Sequence, residues 1–595
     1  MVMAPNYDAK STDPPLLQRF SAIKSYTTTV ATYDKLRIFY RKHPQSDNLP
    51  KDPPLPLLVF IHGLGGSVAQ FNRILTSLTQ NASCLAVDLP GCGVSEFTQT
   101  RWEAYSTDAL VELLEVIIND HREKGQRVVL IAHSMGCSLA ALLANPRTTL
   151  RSDLKEHVVG LVAMCPKSKM LSEQEVKKYR LGLWVPEFLF NLWRTWDRRG
   201  GLNSASITRF VGKKADAEAK RLQLLFNHQS RTPVFRRMAW GLLPTFENGV
   251  PSGGLPEIGV WAGIRIPILL ISGGLDKVTP ESEARKLYNL LRESQSSPAF
   301  QDAEHTPNIE SPVSSLSLDP PPAADGADQS SSPAESPASS PRIEPAHHAI
   351  MPQNEVEIPP FPLKPMGYVS WHKIKWAGHG LLFTDPIVPG LISDFLSEHV
   401  TRRLELGWQL QYLTRDGKWD VKNLEKWQSV TPVSESIGGV FRAIKTLRQV
   451  DDTHCPVQFN VKYGDFIKDV IDISHDTPVY DPQNLRDGGI TYHKVATVSK
   501  IPPPREDINR FIETVDKIRQ GRKEQPGSEK FEIGVHCHYG FNRTGFLIVC
   551  YLVEKCGFTV DEAIKHFAEA RPNGIKHAHF KDRLHVMYAQ RNVGN

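Results

Sequence analysis

Apolar residues cluster along this chain. LLVFI (57–61), CLAVD (84–88), VVLIA (128–132), VVGLVA (158–163) and ILLIS (268–272) are short unbroken apolar runs. Such runs predict strands buried on both faces of a parallel sheet. The intervals carry helical spacing, as in DALVELLEVIINDHREKG. The alternation predicts a doubly wound α/β sheet. VSWHKIKWAGHGLLFTDP predicts one further strand and loop, then a helix around Pro389–Leu404. Farther along, IKDVIDIS (467–474) and EIGVHC (532–537) read as strands. Arg505–Gln520, Thr544–Lys555 and Thr559–Ala570 read as helices. No apolar run approaches the ~20 residues of a membrane span. The opening residues, MVMAPNYDAKSTDPPLLQRF, lack the apolar core of a secretory signal.

The pattern stops at residues 294–360, where serine, proline and acids dominate. This stretch cannot bury enough surface to offset its chain entropy and is expected to be disordered. Because a strand pattern resumes after it, it reads as an insert within the first domain. The expected organisation is residues 1–293 with a helical lid at about 166–250, the insert 294–360, completion of the first domain over 361–405, and a second domain over 406–595. Ser297, Ser311, Ser332, Ser336, Ser340 and Thr306 each precede proline. They would suit a proline-directed kinase, or they are incidental in a solvated spacer.

A length of 595 residues predicts several domains at ~150 residues each. With 40 % apolar and 23 % charged residues, wholesale disorder and coiled-coil arrays are excluded. A net charge of +5 excludes a strongly polybasic nucleic-acid binder. Eight cysteines without a Cys-x-x-Cys pair exclude a zinc ribbon and a disulfide scaffold. Reduced thiols in an intracellular compartment, cytoplasmic or nuclear, are expected. Nothing in the pattern calls for a metal or cofactor.

Candidate chemistry appears in two places. The strand VVLIA runs into AHSMG and a small-residue helix. Ser134 is the candidate nucleophile in a strained strand-to-helix turn, with Gly136 after it and Ala132 before it. FIHGLGGS follows another strand, so the backbone N–H groups near Gly63 and Leu64, with that of Met135, are candidates for an oxyanion hole. A hydroxyl needs a base and an orienting carboxylate. His379 and Asp276 each follow a predicted strand. The order Ser, Asp, His and these four segments resemble the α/β-hydrolase family. That resemblance implies a Ser134–His379–Asp276 triad and a small acyl or ester substrate. Trp184, Phe188, Phe190, Trp193 and Trp196 either line an acyl pocket or fasten the lid to the sheet.

The second place is VHCHYGFNRTGFLIVCYLVEK (535–555). A buried strand ends at His536-Cys537, five residues follow, and Arg543-Thr544-Gly545 open a helix. Backbone N–H groups of such a loop and its helix N-terminus bind a phosphate dianion. The same field lowers the thiol pKa and makes Cys537 a nucleophile. Arg543 offers a planar fork for two phosphoryl oxygens. Thr544 is placed to help the thiolate leave. His536, His538, Tyr539, Gly540, Phe541 and Asn542 complete the loop. This loop, with IDISHDTPVYDPQNLRDGGITYHKVATVSKIPPP before it and DEAIKHFAEARPNGIK after it, resembles the RNA 5'-triphosphatase branch of dual-specificity phosphatases, which includes the triphosphatase domain of mRNA capping enzymes. His538-Tyr539, and His577 with His579, depart from that pattern, and no Lys-x-Asp-Gly nucleotidyl-attachment motif occurs.

One absence speaks to substrate. Expelling a phenolate, whose acid has a pKa of ~10, calls for a general acid. The segment before the loop, YHKVATVSKIPPP (492–504), holds no carboxylate, and Glu506 and Asp507 begin the next helix. A terminal phosphate leaving group, with a last pKa nearer ~6, needs little protonation. The expected activity is therefore a cysteinyl-phosphate phosphatase preferring RNA 5'-tri- or diphosphate ends, fused to a serine hydrolase of esterase or lipase type. Lys494, Lys500, Lys565, Arg571, Lys576, Lys581 and Arg583 are expected to rim the site. The alternative is a protein tyrosine or dual-specificity phosphatase whose hydrolase fold is a non-catalytic scaffold.

Overall fold

A computed structural model describes residues 7–148, 150–168, 171–295, 357–362, 366–413, 421–475, 477–523 and 531–589. Residues 296–356 of the stretch expected to be disordered, with the Ser-Pro and Thr-Pro pairs at 297–340, lie outside the described residues, whereas Ser294 and Gln295 end the helix Glu281–Gln295. Strands β1 (Ser21–Thr27), β2 (Thr32–Arg41), β3 (Leu57–Ile61), β4 (Cys84–Val87), β5 (Val128–His133) and β6 (Val158–Met164) come first. A short hairpin, β7 (Thr245–Glu247) and β8 (Val250–Ser252), precedes β9 (Ile268–Gly273) and β10 (Val369–Ile374). The first sheet runs β1-β2-β4-β3-β5-β6-β9-β10. β3, β4, β5, β6 and β9 are buried along their whole length. That is why they appear in the sequence as continuous apolar runs.

β1 and β2 are not legible by that criterion. They pair antiparallel with each other, and β2 pairs antiparallel with β4. β1 is exposed over most of its length, so its sequence, SAIKSYT, contains no apolar run. β10 joins β9 in parallel with Val369 opposite Ile268, so the sheet gains its last strand after residues 296–357. The helix expected around Pro389–Leu404 is shorter, Val388–Phe395, followed by a wide π turn at Leu396–Val400. Between β6 and β9 stand the helices Glu173–Leu183, Glu187–Arg198, Ala205–Val211, Ala217–Gln229 and Thr232–Gly241.

A second sheet contains β11 (Phe441–Ile444), β12 (Ile467–Asp472), β13 (Thr491–Lys494) and β14 (Glu532–His536) in the order β11-β14-β12-β13, all parallel. Helices Arg505–Lys523, Asn542–Lys555, Val560–Ala570 and Ala578–Tyr588 accompany it. Phe511, Val535, Phe546 and Phe580 share its core. The last helix packs on Val388–Phe395 of the first fold. Gly390 permits this approach, since a Cβ there would lie 2.9 Å from the Asp582 carbonyl oxygen.

Candidate active sites

β5 and the helix Met135–Ala144 meet at Ser134, whose φ of 53° lies in the left-handed region. A non-glycine residue held there stores backbone strain that the surrounding packing must sustain. The turn is tight because the helix lies on the end of β3: a Cβ at Gly136 would come within 2.3 Å of the Ile61 carbonyl oxygen. Gly63 is equally constrained, since a Cβ there would lie 2.9 Å from the Ser134 Cβ. Gly63 thus faces the serine, Leu64 lines the cavity beside it, and Met135 begins the helix.

The structure brings Ser134, His379 and Asp276 together, although 245 residues separate the first two. Ser134 Oγ lies 3.0 Å from His379 Nε2, and His379 Nδ1 lies 2.7 Å from Asp276 Oδ2. A carboxylate only accepts, so Nδ1 carries the proton and Nε2 is left as the base for the hydroxyl. Burial pushes the Asp276 carboxyl up, but hydrogen bonds from His379 and Thr279 outweigh it and hold it below the ordinary range.

Three supporting residues escaped the sequence reading. Thr279 donates from its hydroxyl to Asp276 Oδ2 at 2.8 Å and from its backbone N–H to Oδ1 at 2.9 Å. His133 Nε2 donates to the His379 carbonyl at 2.9 Å. Burial, reinforced by His379, lowers the His133 pKa to about 3, so this ring stays neutral. Phe210 sets its ring edge-on to His379 at 5.2 Å. Only the Thr279 role carries a local signal, the Asp-x-x-Thr spacing.

A cavity of about 130 Å³ lies between Leu64 and the overlying helices, lined on that side by Phe190, Trp193 and Phe210. The expectation for the five aromatic residues is therefore corrected. Phe190 and Trp193 line the cavity, whereas Trp184, Phe188 and Trp196 neither line it nor fasten the helices, being exposed.

At the second site, β14 delivers Cys537 and the helix Asn542–Lys555 receives the loop. Gly540 has φ 70°, and a Cβ there would lie 2.4 Å from the Ile444 carbonyl oxygen. Only glycine satisfies both constraints. Burial alone would push the Cys537 thiol up. The Arg543 guanidinium, the Thr544 hydroxyl and the backbone N–H groups of Gly540 and Thr544 together hold it below its ordinary value.

The loop is braced from both sides. His536 Nδ1 donates to the Cys537 carbonyl at 3.0 Å, which leaves Nε2 to accept from the Tyr480 hydroxyl at 2.8 Å. The His538 carbonyl accepts from the Thr446 N–H at 3.0 Å. The Asn542 side-chain carbonyl accepts from the N–H groups of Lys576 and His577 at 2.8 and 3.1 Å. Arg571 reaches the Tyr539 carbonyl at 2.9 Å and the Thr431 carbonyl at 2.6 Å, and its guanidinium lies over the Phe541 ring.

The basic rim differs from expectation. Arg571 is fully buried and braces the loop. Lys494 pairs with Asp472 at 2.8 Å, and Arg583 pairs with Asp394 at 3.1 Å. Lys565 lies 3.9 Å from Glu569 on its own helix. Lys576 stays at the loop, 4.0 Å above Phe541, and is joined by Lys426, which lies 5.2 Å from the Tyr539 ring. Burial together with Lys426, Lys500 and Lys576 pushes the His577 pKa down, so these three cations share one neighbourhood. Lys426 precedes the predicted strands of the second sheet and had no sequence signal.

Arg543 Nη1 donates to the Thr497 carbonyl at 2.7 Å and lies 3.3 Å from that of Ile473. The carboxylate-free segment thus lies against the signature arginine. Asp507 pairs with Arg510 on its own helix. Asp472, at the end of β12, is buried, yet His536, Lys494 and Ser474 hold it below the ordinary carboxylate range.

The Alpha/beta hydrolase family matches residues 58–315, and the catalytic domain of the Dual specificity phosphatase family matches residues 463–590. An abhydrolase domain-containing protein of Schizosaccharomyces pombe is 30 % identical over 40 % of this chain and 61 % of its own length. The Danio rerio mRNA-capping enzyme is 36 % identical over 20 % of this chain and 19 % of its own length. A tyrosine-protein phosphatase of Autographa californica nuclear polyhedrosis virus is 31 % identical over 21 % of this chain and 70 % of its own length. The chain thus spans under two thirds of the S. pombe relative and about a fifth of the capping enzyme.

Proposed function

Through its C-terminal part the chain belongs to the dual specificity phosphatase family, behind an alpha/beta hydrolase domain, and from that premise we propose that it is a cysteinyl-phosphate phosphatase acting on RNA 5'-tri- or diphosphate ends. The Cys537 thiolate attacks the terminal phosphorus. The P–O bond to the next phosphate breaks, and the shortened RNA leaves as the S–P bond forms. Water then cleaves the S–P bond, releasing inorganic phosphate and restoring the thiolate. Arg543 holds two equatorial oxygens throughout. The buried Thr544 hydroxyl has no other partner among the described residues and is free to meet the departing thiolate.

The observation that carries the substrate preference is the contact of Arg543 with Thr497. It supports reading residues 492–504 as the wall beside the leaving group, and that wall has no acid. Asp507 is engaged by Arg510 on its own helix, and Asp472 is held below the ordinary carboxylate range by His536, Lys494 and Ser474, so both carboxylates have other partners. An anhydride leaving group tolerates this, whereas a phenolate does not. Lys426, Lys500 and Lys576 supply positive charge for a polyanionic 5' end. The protein-phosphatase reading has one point in its favour, the similarity to the viral tyrosine-protein phosphatase.

A turnover comparison of triphosphorylated RNA with a phosphotyrosyl peptide, on wild type and Asp507→Asn, separates the readings. The RNA substrate is expected to be faster by orders of magnitude, with Asp507→Asn nearly unchanged. Efficient phosphotyrosine turnover that falls ~10²–10⁴-fold in Asp507→Asn would overturn this choice. For the first domain we propose ester hydrolysis through Ser134, with His379 as base and Asp276 as its orienting partner. Fluorophosphonate labelling of wild type but not of Ser134→Ala is the expected outcome. An unlabelled wild type would leave the hydrolase fold as a scaffold.

A further inference from the structure

The helix Glu187–Arg198 is built inside out. Phe188, Leu192 and Trp196 recur every four residues, and Leu189 and Trp193 lie beside them, forming one apolar stripe. On a surface helix that stripe normally faces the core. Here Phe188 is 68 % exposed, Leu192 65 %, Trp196 66 % and Trp193 51 %. The polar face points inward instead. Arg194 donates to the Thr232 hydroxyl at 3.0 Å and the Asn227 carbonyl at 3.2 Å. Arg198 reaches the same carbonyl at 3.1 Å, and Asp197 accepts from the Ser206 N–H at 3.2 Å. Burial lowers the Arg194 pKa to about 10. These inward bonds fix the helix rotation, so the exposed stripe is held outward rather than left loose. Trp184, 83 % exposed just ahead of this helix, extends the patch.

An exposed apolar patch of this kind marks an interaction surface. Charge selects the partner. Residues 173–241 hold 14 Lys and Arg against 6 Asp and Glu, an excess larger than the net +5 of the whole chain. Lys178, Arg199, Lys213 and Lys214 are exposed and have no acidic partner among the described residues. A twofold contact with a second copy would bring this cationic cap against itself. Anionic headgroups neutralise it while acyl chains receive the aromatic stripe. Tryptophan suits that boundary because it has an apolar body and a polar N–H.

We propose that the helix Glu187–Arg198 docks this protein on an anionic lipid surface, laying Phe188, Leu192, Trp193 and Trp196 into the headgroup–acyl boundary. Trp193 also lines the cavity beside Leu64, which Phe210, edge-on to His379, lines as well, so the docked face continues toward the triad. A lipid-resident acyl ester is the substrate class this geometry delivers. That last point rests on the ester-hydrolase reading, whereas docking does not.

The test uses the full chain carrying Ser134→Ala, which separates binding from turnover. It is sedimented with vesicles of phosphatidylcholine alone or mixed with phosphatidylserine. Binding to the anionic vesicles is expected, weakening as salt rises, with a blue shift of tryptophan emission. Adding Leu192→Glu and Trp196→Glu is expected to lower partitioning about tenfold or more, because each removes buried apolar contact and adds like charge to the surface. An unchanged Tm checks that these outward-facing substitutions leave the fold intact. If the double variant unfolds, quenching of wild-type tryptophan by brominated anionic lipid, its presence or absence, decides in its place. No binding by the parent chain, or equal binding by an intact double variant, would overturn the proposal. So would a dimer that the double variant dissociates without any vesicle binding, because the occupant would then be a second copy. Vesicle binding with no fluorophosphonate labelling of wild type would keep the docking and remove the ester-hydrolase reading.

Discussion

Ser134 and Cys537 stand in matching places, each at the C-terminal end of a buried parallel strand just ahead of a helix. Their surroundings differ because their chemistry does. A serine hydroxyl keeps its proton at neutral pH and needs a base within reach, so His379 and Asp276 are aligned on it at 3.0 and 2.7 Å. A thiol has only a short way to go. The loop's own N–H groups and Arg543 lower its pKa without any base. One site is therefore assembled from distant parts of the chain, and the other is built almost wholly from residues 536–544. Mutations should spread differently through the two.

The largest effect is expected at the nucleophiles and should separate the sites completely. Ser134→Ala or His379→Ala should lower ester hydrolysis about 10⁴–10⁶-fold while leaving phosphate release unchanged. Cys537→Ser should reduce phosphate release to background and leave ester hydrolysis intact. Assaying both reactions on each variant checks the division, and loss of both activities in one variant would break it.

Next comes Arg543→Lys. Lysine is a point charge and cannot reproduce the planar fork, so kcat for phosphate release should fall about 10²–10³-fold. Because the thiol loses its principal cationic neighbour only in part, iodoacetate should still alkylate Cys537. The reaction midpoint should move toward the ordinary thiol pKa, read from the pH dependence of the alkylation rate.

Arg571→Met sharpens the contrast from the side of the scaffold. The residue is buried and holds two backbone carbonyls, Tyr539 and Thr431. Leaving them unpaired should cost about 1–3 kcal/mol each. A lower Tm and a fall in kcat exceeding the rise in KM are expected, because the loop that shapes the anion cradle loses its brace. Ester hydrolysis should be spared.

The smallest effect concerns the face where the two folds meet. The Ser77 hydroxyl donates to Asp582 at 2.6 Å. Burial raises the Asp582 pKa to about 6, above its ordinary 3.8. Between those values the folded chain binds the proton more tightly than the unfolded one, so this group's contribution to stability declines as pH rises from about 4 through about 6. Asp582→Asn should therefore raise Tm by a few degrees at pH 7.5 and barely change it at pH 4. Calorimetry at the two pH values checks the sign. Both activities should be unaffected.

Local physics was legible from residues alone wherever a short segment contained the whole argument. The buried strands had to be continuous apolar runs because both faces are covered. The phosphate loop had to show its cysteine, glycine and arginine at fixed spacing, since one turn of backbone and one helix N-terminus make the cradle. Ser134 was legible through the small residues its strained turn requires, and the order of His379 and Asp276 followed the resemblance. Other features left no such trace. β1 is the edge strand, and its exposed positions, with those at the start of β2, interrupt the apolar run. Phe210 and Lys426 reach their sites only through folding, from elements with no chemical signature of their own, and the bond of His133 to the His379 carbonyl, 246 residues away, is equally silent in the sequence. Arg571 looked like a surface cation, yet its burial is paid for by two carbonyls that no spacing reveals.

The helix Glu187–Arg198 shows where that boundary lies. Its amphipathic period follows from residue order alone, because side chains four apart share a face whatever surrounds them. Which face turns inward is not a property of the helix. Asn227, Thr232 and Ser206, brought from three other helices or their connections, bind Arg194, Arg198 and Asp197 and rotate the aromatic stripe outward. Periodicity is a local property of the backbone, whereas the direction a face takes depends on partners that only the tertiary fold assembles.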